Sequence, residues 1–206
     1  ISLKMLSVML PEEVLEPHRQ FLDVAQTSTE RMRRLVDTLL EVARMEAGET
    51  EFTLGELDLC PLLKDIVEHV SIVDRKGIDL KLEIIEDLPP AYADREKIER
   101  VITNLVDNAL KYTPENGLIV VSACSKDGYI YTSVTDNGPG IPPDQRERIF
   151  ERFTQVEGER RARRGFGLGL AYCRLAVERH KGKIWVEDGE GGVGSRFIFT
   201  LPIFRL

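Results

Sequence analysis

Three polar residues near the middle of the chain share the spacing of one helix face. Asn104, Asn108 and Lys111 stand at i, i+4 and i+7, in a segment whose apolar residues recur every three or four positions. Carboxamide oxygens can bind a hard cation, and an ammonium group can neutralise phosphate oxygens. The stripe therefore has the chemistry to hold a metal ion and a polyphosphate together, although a solvated helix face would show the same spacing.

The segment DNGPGIP, residues 136–142, follows a predicted strand and is rich in turn-forming residues. Gly138 and Gly140 would let the backbone approach a flat ligand closely, and Asp136 would present a fixed carboxylate at the end of the strand. A carboxylate at the base of a pocket suits an exocyclic amine such as that of adenine. An ordinary Asn-Gly loop is the alternative interpretation.

The segment GFGLGL, residues 165–170, opens a predicted helix, and glycines at a helix N-terminus expose free N–H groups that bind anions. Residues 151–206 contain 11 basic and 7 acidic residues, in a chain whose net charge is −7. Four of the basic residues directly precede the glycines: Arg160, Arg161, Arg163 and Arg164. The string matches neither the dinucleotide fingerprint nor a P-loop, so it favours a small anionic ligand without naming its class.

The composition is typical of a globular protein and argues against a general nucleic-acid binder. Of the 206 residues, 42% are hydrophobic and 31% charged, and the net charge is acidic. The three cysteines are too few for a disulfide framework, and no apolar run is long enough to span a membrane. We therefore expect a cytoplasmic location. Because the sequence starts at Ile1 without Met, we expect further sequence upstream, where any membrane anchor would lie.

The elements that must position these residues fall into two regions, of which residues 1–50 are predicted to form a helical hairpin. Residues 1–10 fit the end of one helix, the segment Pro11 to Pro17 interrupts it, and a second helix is predicted from His18 to Glu46. The second helix carries the heptad pattern of a coiled coil: Phe21, Ala25, Met32, Leu35, Leu39 and Val42. This pattern predicts a dimeric four-helix bundle, with a monomeric hairpin as the alternative.

Residues 51–206 are predicted to form an α+β sandwich, in which helices cover one face of a mostly antiparallel sheet. Helical periodicity marks residues 59–73, 95–112 and 168–180, and Asp94 is a good N-cap for the second of these helices. Strands are predicted at residues 52–57, 78–85, 118–125, 129–135, 183–187 and 196–201. The turn at residues 126–128, Lys-Asp-Gly, is suited to a hairpin between the third and fourth strands.

Four segments, taken in order, resemble the motifs of bacterial sensor histidine kinases. NLVDNALKYT resembles the N box, DNGPGIP the first glycine box, IFERF at residues 149–153 the F box, and GFGLGLAYC the second glycine box. The resemblance implies that residues 51–206 are a catalytic ATP-binding domain of the histidine kinase, gyrase and heat-shock chaperone ATPase type. It also implies that residues 1–50 are most of the dimerisation and phosphotransfer hairpin.

The resemblance assigns roles to individual residues. Asn108 would bind Mg²⁺, Asn104 and Lys111 would contact phosphates, Tyr112 would lie beside adenine, and Asp136 would accept a hydrogen bond from the adenine amine. Gly138 and Gly140 would shape the loop around the adenine. Residues 154–166 would form a lid that closes on the phosphates. The second glycine box would permit this closure and contact the nucleotide with Gly165, Gly167, Leu168 and Gly169. Phe150 and Phe153 would anchor the near end of that lid.

Two departures from the family pattern concern the phosphate acceptor and the lid. The histidine-containing acceptor box is absent, and His18, His69 and His180 lack its context, so this fragment has no catalytic histidine and we expect the acceptor upstream of Ile1. Phe166 stands where the second glycine box often has Thr.

The related ATPases place a general-base Glu at the position of Asn104, so we expect ATP hydrolysis to be slow.

The resemblance therefore predicts a homodimeric kinase that binds Mg²⁺ and ATP. The γ-phosphoryl group would pass to a histidine of the dimerisation helix and then to an Asp of a response regulator receiver domain, with no nucleic acid as partner. The alternatives are an ATP-dependent conformational clamp of the same superfamily and a dimerisation module with a decayed nucleotide site.

Overall fold

A computed structural model describes residues 19–73, 77–154 and 166–205 of the chain. The predicted first helix, His18, the four arginines before the glycine segment and Gly165 lie outside these residues. Among the described residues, no helix is both long enough and apolar enough to cross a membrane.

The helices and strands follow the predicted order closely. The helices are α1 (Arg19–Ala47), α2 (Leu59–Val73), α3 (Arg95–Tyr112) and α4 (Gly169–Arg179). The strands are β1 (Gly55–Leu57), β2 (Asp79–Ile84), β3 (Ala91–Ala93), β4 (Leu118–Lys126), β5 (Tyr129–Asp136), β6 (Ile184–Asp188) and β7 (Ser195–Pro202). Among the described strands, the sequence pattern missed β3, whose three residues are too few to show an alternation.

Five strands form one sheet in the order β2-β4-β5-β7-β6, and the short strands β1 and β3 pair separately. Only the β2 and β4 pair is parallel, so the prediction of a mostly antiparallel sheet is confirmed. The β4–β5 hairpin turns through Asp127 and Gly128, both with positive φ (50° and 82°), as a two-residue turn of this twist requires.

The core lies between this sheet and the helices. The apolar stripe of α3 is fully buried, and alternate residues of β4, β5 and β7 contribute to the same cluster. The predicted N-cap of α3 is confirmed, because Asp94 Oδ1 accepts a hydrogen bond from the Lys97 N–H at 3.1 Å. The α/β sandwich is therefore the observed architecture, and α3 is its central helix.

The C-terminal end of α1 packs against α4, and it does so with residues that belong to the sandwich core. Val42 and Met45 have no exposed surface and join the core cluster. Val42, which the heptad pattern placed in the coiled-coil seam, is thus a core residue. Of the remaining seam residues, Phe21 and Met32 are 78% and 64% exposed, whereas Ala25, Leu35 and Leu39 are partly buried.

Candidate functional site

The three candidate segments meet around α3. A Cβ added at Gly138 would lie 3.1 Å from the carbonyl oxygen of Tyr112, the last residue of α3. A Cβ added at Gly169 would lie 3.4 Å from Oδ1 of Asn104, in the middle of the same helix. The Asp136 loop therefore contacts the C-terminal end of α3, while the glycine segment contacts its centre.

Asp136 ends β5 and is 5% exposed, so its carboxylate is an inward-facing acceptor. Its Oδ1 accepts a hydrogen bond from the Gly138 N–H at 2.8 Å. Burial raises the pKa of Asp136, and hydrogen bonds from the backbone N–H groups of Gly138 and Ser195 oppose that rise. These two donors hold the carboxylate in one orientation at the end of the strand.

The loop after Asp136 has no room for side chains. A Cβ at Gly138 would lie 2.8 Å from Asp136 Oδ1, and Gly140 has a φ of +75° with Gly194 O only 3.1 Å from its Cβ position. Sequence reasoning missed Gly189 and Gly194, whose Cβ positions lie 3.0 Å and 1.9 Å from Asp136 O. The glycine-rich string GEGGVG before β7 was the sequence signal for a tight turn at this place. In the structure Gly194 has a positive φ of 78°.

The polar stripe of α3 is half-buried at Asn104, Asn108 and Lys111. The Lys111 ammonium donates to the Tyr112 hydroxyl at 2.5 Å and lies 4.3 Å from the centre of the Tyr112 ring. A positive charge and an aromatic face are therefore paired at the end of α3, next to the Asp136 loop.

Asn104 also has an unsatisfied donor. Its Nδ2 is buried and has no hydrogen-bond partner of ordinary geometry among the described residues. The neighbouring Cys173 is fully buried, and burial raises the pKa of its thiol to about 12, against the opposing effect of the Asn104 amide. The donor end of the amide thus faces the Cys173 thiol, whereas Asn104 Oδ1 is the atom that faces Gly169 and the glycine segment.

The glycine segment is held to the chain that follows the F-box-like residues. The Phe153 N–H donates to Gly167 O at 2.8 Å, and Gly167 has a φ of +67° with a Cβ position 2.7 Å from the Phe153 carbonyl carbon. Phe150 is buried, with its ring edge-on to Phe197 at 6.3 Å. Phe153, in contrast, is 60% exposed, so only its backbone anchors the segment. The described part of the expected lid is limited to Thr154 and Phe166.

The two described histidines do not belong to this site. His69 is exposed on α2. His180 is buried at the end of α4, where Nε2 accepts from the Asp94 N–H at 2.9 Å and Nδ1 lies 2.7 Å from Ala176 O. His180 is thus a structural residue that joins α4 to the N-cap of α3.

The sequence pattern also gave no sign of the polar contacts between α1 and the sandwich. The Glu41 carboxylate pairs with Lys97 at 3.2 Å and with Arg100, both on α3. The Arg179 guanidinium donates to the carbonyl oxygen of Met45 at the end of α1. These contacts place α1 on the same side of the sandwich as the polar stripe of α3.

A cavity of about 400 Å³ lies elsewhere, at the β4–β5 turn. It is lined by Tyr92, Gly128, Tyr129 and Arg205 among others and includes none of the candidate residues. Because β5 runs from Tyr129 at this cavity to Asp136 at the site, the two places are about 23 Å apart.

Two family models match the chain. Residues 93–205 match the histidine kinase-, DNA gyrase B-, and HSP90-like ATPase model, and residues 2–48 match the His Kinase A (phospho-acceptor) domain. The first match alone covers more than half of the chain, including all of the candidate site residues.

Relatives and solved structures give the same result. The adaptive-response sensory kinase SasA of Thermosynechococcus vestitus is 38% identical over 211 residues, which cover 99% of this chain and 55% of that protein. Full-length ShkA in complex with AMPPNP matches with a TM-score of 0.80 and 33% identity, over 91% of this chain and 39% of ShkA.

The histidine kinase ThkA, in complex with the response regulator TrrA, matches with a TM-score of 0.72 and 29% identity, over 98% of this chain and 55% of that chain. The chain spans about half the length of the curated relatives that it matches.

Proposed function

We propose that the chain binds Mg·ATP and supports transfer of the γ-phosphoryl group to a histidine of a dimerisation helix. The chain belongs to the sensor histidine kinases of two-component systems, and the proposal follows from that membership. The observation that carries the proposal is the convergence on α3 of the Asp136 loop and the glycine segment. We assign ATP binding to residues 51–206, and dimerisation and phosphotransfer to residues 1–50.

Asp136 is the residue that we assign to the adenine. Its carboxylate is buried and fixed by two backbone N–H groups, and Gly138 leaves the space beside it clear of side chains. A carboxylate oxygen accepts a hydrogen bond from an exocyclic amine but repels a carbonyl oxygen. The loop therefore has the chemistry to select adenine over a base with a 6-oxo group, and Tyr112 borders the same space.

The polar stripe of α3 and the glycine segment are the groups that we assign to the phosphates. Asn104 borders the glycine segment through its Oδ1, and rotation of its amide would turn the buried Nδ2, which has no hydrogen-bond partner of ordinary geometry among the described residues, towards a phosphate oxygen. Lys111 supplies positive charge at the end of the helix, and Gly167, Leu168 and Gly169 present backbone at the N-terminus of α4. Gly165 belongs to the same assignment.

The Asn108 carboxamide oxygen is the protein ligand that we propose for Mg²⁺. When bound, Mg²⁺ neutralises charge on the phosphate oxygens, which is the main requirement of phosphoryl transfer. Asn108 lies one helical turn after Asn104 on the same stripe, so the proposed metal ligand and the proposed phosphate donor share a face of α3.

The site suits transfer to an external acceptor better than hydrolysis. Asn104 cannot take a proton from water at neutral pH, and it stands where the clamp ATPases of the superfamily have a Glu. The chain can therefore position the phosphates and stabilise their charge while leaving the nucleophile to come from another group. We assign that nucleophile to a histidine of a dimerisation helix other than His18, His69 and His180, and propose that the phosphoryl group then passes to a response regulator, the kind of partner named for ThkA.

The dimeric state is part of the same proposal. Apolar side chains of α1 are exposed along the predicted seam, and the match to the phospho-acceptor domain, a dimerisation module, includes this helix. A second copy of the chain would cover that seam.

Binding of ATP and ITP to the 206-residue chain tests the assignment of Asp136. Loss of a charge-assisted hydrogen bond costs about 1.5–3 kcal/mol, so Asp136→Ala should weaken ATP by roughly 10- to 150-fold and should remove the preference for ATP over ITP. Asp144→Ala, which alters an exposed carboxylate after the same loop, is the matched control and should bind ATP as the wild type does.

Two results would contradict the proposal. ATP affinity of Asp136→Ala within twofold of the wild type would exclude the adenine contact. If Mg²⁺ strengthens ATP binding to the wild type and to Asn108→Ala equally, Asn108 is not the metal ligand.

A further inference from the structure

Phe166, the bulky residue of the glycine segment, contacts α1. The guanidinium of Arg31 lies 4.9 Å from the centre of the Phe166 ring, within the range of a cation–π interaction. Phe166 is half-buried, although the family motif often has a small polar residue at this position. An arginine can stack its flat guanidinium on such a ring, which a lysine ammonium cannot do.

The chain on the other side of Phe166 has little freedom. Gly167 is hydrogen-bonded to the Phe153 N–H, and its Cβ position lies 2.7 Å from both the Phe153 carbonyl carbon and Thr154 O. Two residues further on, Gly169 lies against Asn104. A displacement of Phe166 would therefore be passed on to the backbone that we assign to the phosphates.

Arg31 lies on a part of α1 that is remote from the helix's main attachment. Glu41, Val42 and Met45 hold the C-terminal end of α1 to the sandwich. Arg31 precedes Glu41 by ten residues, which is about 15 Å along the helix axis. A small tilt of α1 about its attached end would thus move Arg31 much more than Met45.

We propose that Arg31 is a positioning residue for the phosphates. Its guanidinium, stacked on Phe166, holds residues 166–169 in the arrangement that binds the β- and γ-phosphates, and it couples that arrangement to the tilt of α1. The inference rests on the proposed function, because it needs ATP as the ligand. It gives Phe166 a role that a threonine could not have, and by linkage ATP would in turn favour the observed position of α1.

Arg31→Met is the variant that tests this role, because methionine keeps the length and apolar stem of arginine and removes the charge. ATP should bind about two- to fivefold more weakly, the value of a partly exposed cation–π contact, whereas AMP, which lacks the β- and γ-phosphates, should bind unchanged. Arg33→Met is the matched control, since Arg33 is exposed on α1 about 160° away around the helix. It should leave both affinities unchanged.

Phe166→Leu completes a double-mutant cycle. If the two side chains act as a pair, Arg31→Met should have no further effect on ATP affinity in the Phe166→Leu background. Three results would each overturn the role of Arg31. They are additive effects of the two substitutions on ATP affinity, an unchanged ATP affinity in Arg31→Met, and equal losses of affinity for ATP and AMP. A wild-type chain that binds no ATP would overturn the proposed function itself, so the two failures are distinguishable.

Discussion

His180 is a buried histidine whose two ring nitrogens have opposite roles. Nε2 accepts from the Asp94 N–H at 2.9 Å, so the proton must be on Nδ1, which donates to Ala176 O at 2.7 Å. The ring also meets Phe52 edge-on at 5.2 Å. Because Asp94 caps α3, the neutral form of His180 supports the helix that carries the candidate site.

Replacement of His180 should destabilise the protein measurably. His180→Ala leaves the buried Asp94 N–H without an acceptor, which costs about 1–3 kcal/mol. The lost packing of a buried ring adds about 1–2 kcal/mol. For a chain of this size the sum, about 2–5 kcal/mol, corresponds to a melting temperature roughly 4–20 °C lower.

The acid dependence of stability should also change. Burial lowers the pKa of His180, against the opposing effects of the Ala176 carbonyl and the Asp94 charge, whereas the unfolded chain titrates near 6.5. Between these two pKa values the unfolded state binds more protons, so this contribution to stability is complete above about pH 6.5 and is lost as the pH falls through the folded pKa. His180→Gln keeps an acceptor for the Asp94 N–H and cannot titrate.

Urea unfolding of the wild type and of His180→Gln across pH 5–8 measures this contribution. Carboxylates such as Asp107 and Asp136, whose pKa values are raised by desolvation, are present in both proteins, so their effect cancels in the difference. The wild type should lose stability relative to His180→Gln as the pH falls below about 6.5. Parallel curves would refute the assignment of a neutral, buried acceptor.

The two faces of α1 give further predictions. The chain should be a dimer, and Met32→Glu combined with Leu39→Glu should lower its mass in light scattering, because four unpaired carboxylates would enter the seam; an unchanged mass would refute the heptad assignment. Glu41→Gln should lower the melting temperature by about 2–4 °C, because the attraction of the carboxylate is lost and the single amide oxygen can accept from only one of the two cations, at a cost of about 1 kcal/mol. Asp37→Asn, the same change at an exposed position of α1, should have no such effect; equal effects would show that the Glu41 contacts do not stabilise the docked helix.

Local signals account for what the sequence predicted well. The bounds of α3 follow from the Asp94 cap, a strict apolar stripe and Pro114, which disfavours continuation beyond Thr113. The β4–β5 hairpin follows from Asp127 and Gly128, and both features are decided within a few residues. The order of the motifs then gave the family, because the same four segments can be recognised without knowing where they lie in space.

Features that depend on residues far apart in the chain could not be predicted in this way. A glycine is needed at position 194 because the pairing of β7 with β5 would place a Cβ there 1.9 Å from Asp136 O. Nothing near Gly194 in the sequence indicates that Asp136 is its neighbour. The pairing of Glu41 with Arg100 joins residues 59 positions apart. A charged residue on a predicted coiled-coil helix is ordinarily solvated, so nothing in the pattern marked Glu41 as the partner of Arg100.

The structure of α1 explains how one helix can serve two partners. At about 100° per residue, Met45 in the core and Met32 in the exposed seam lie about 140° apart around the helix axis. The face that packs on the sandwich is thus separate from the face that a second copy of the chain would cover. Docking of the sandwich therefore leaves the Met32 side of the helix uncovered, and it takes from the predicted seam Val42, which lies between the two faces and is fully buried in the core. The exposed seam can accordingly keep its contacts when α1 tilts relative to the sandwich. Under the proposal, such a tilt of α1 would then reach residues 166–169 through Arg31.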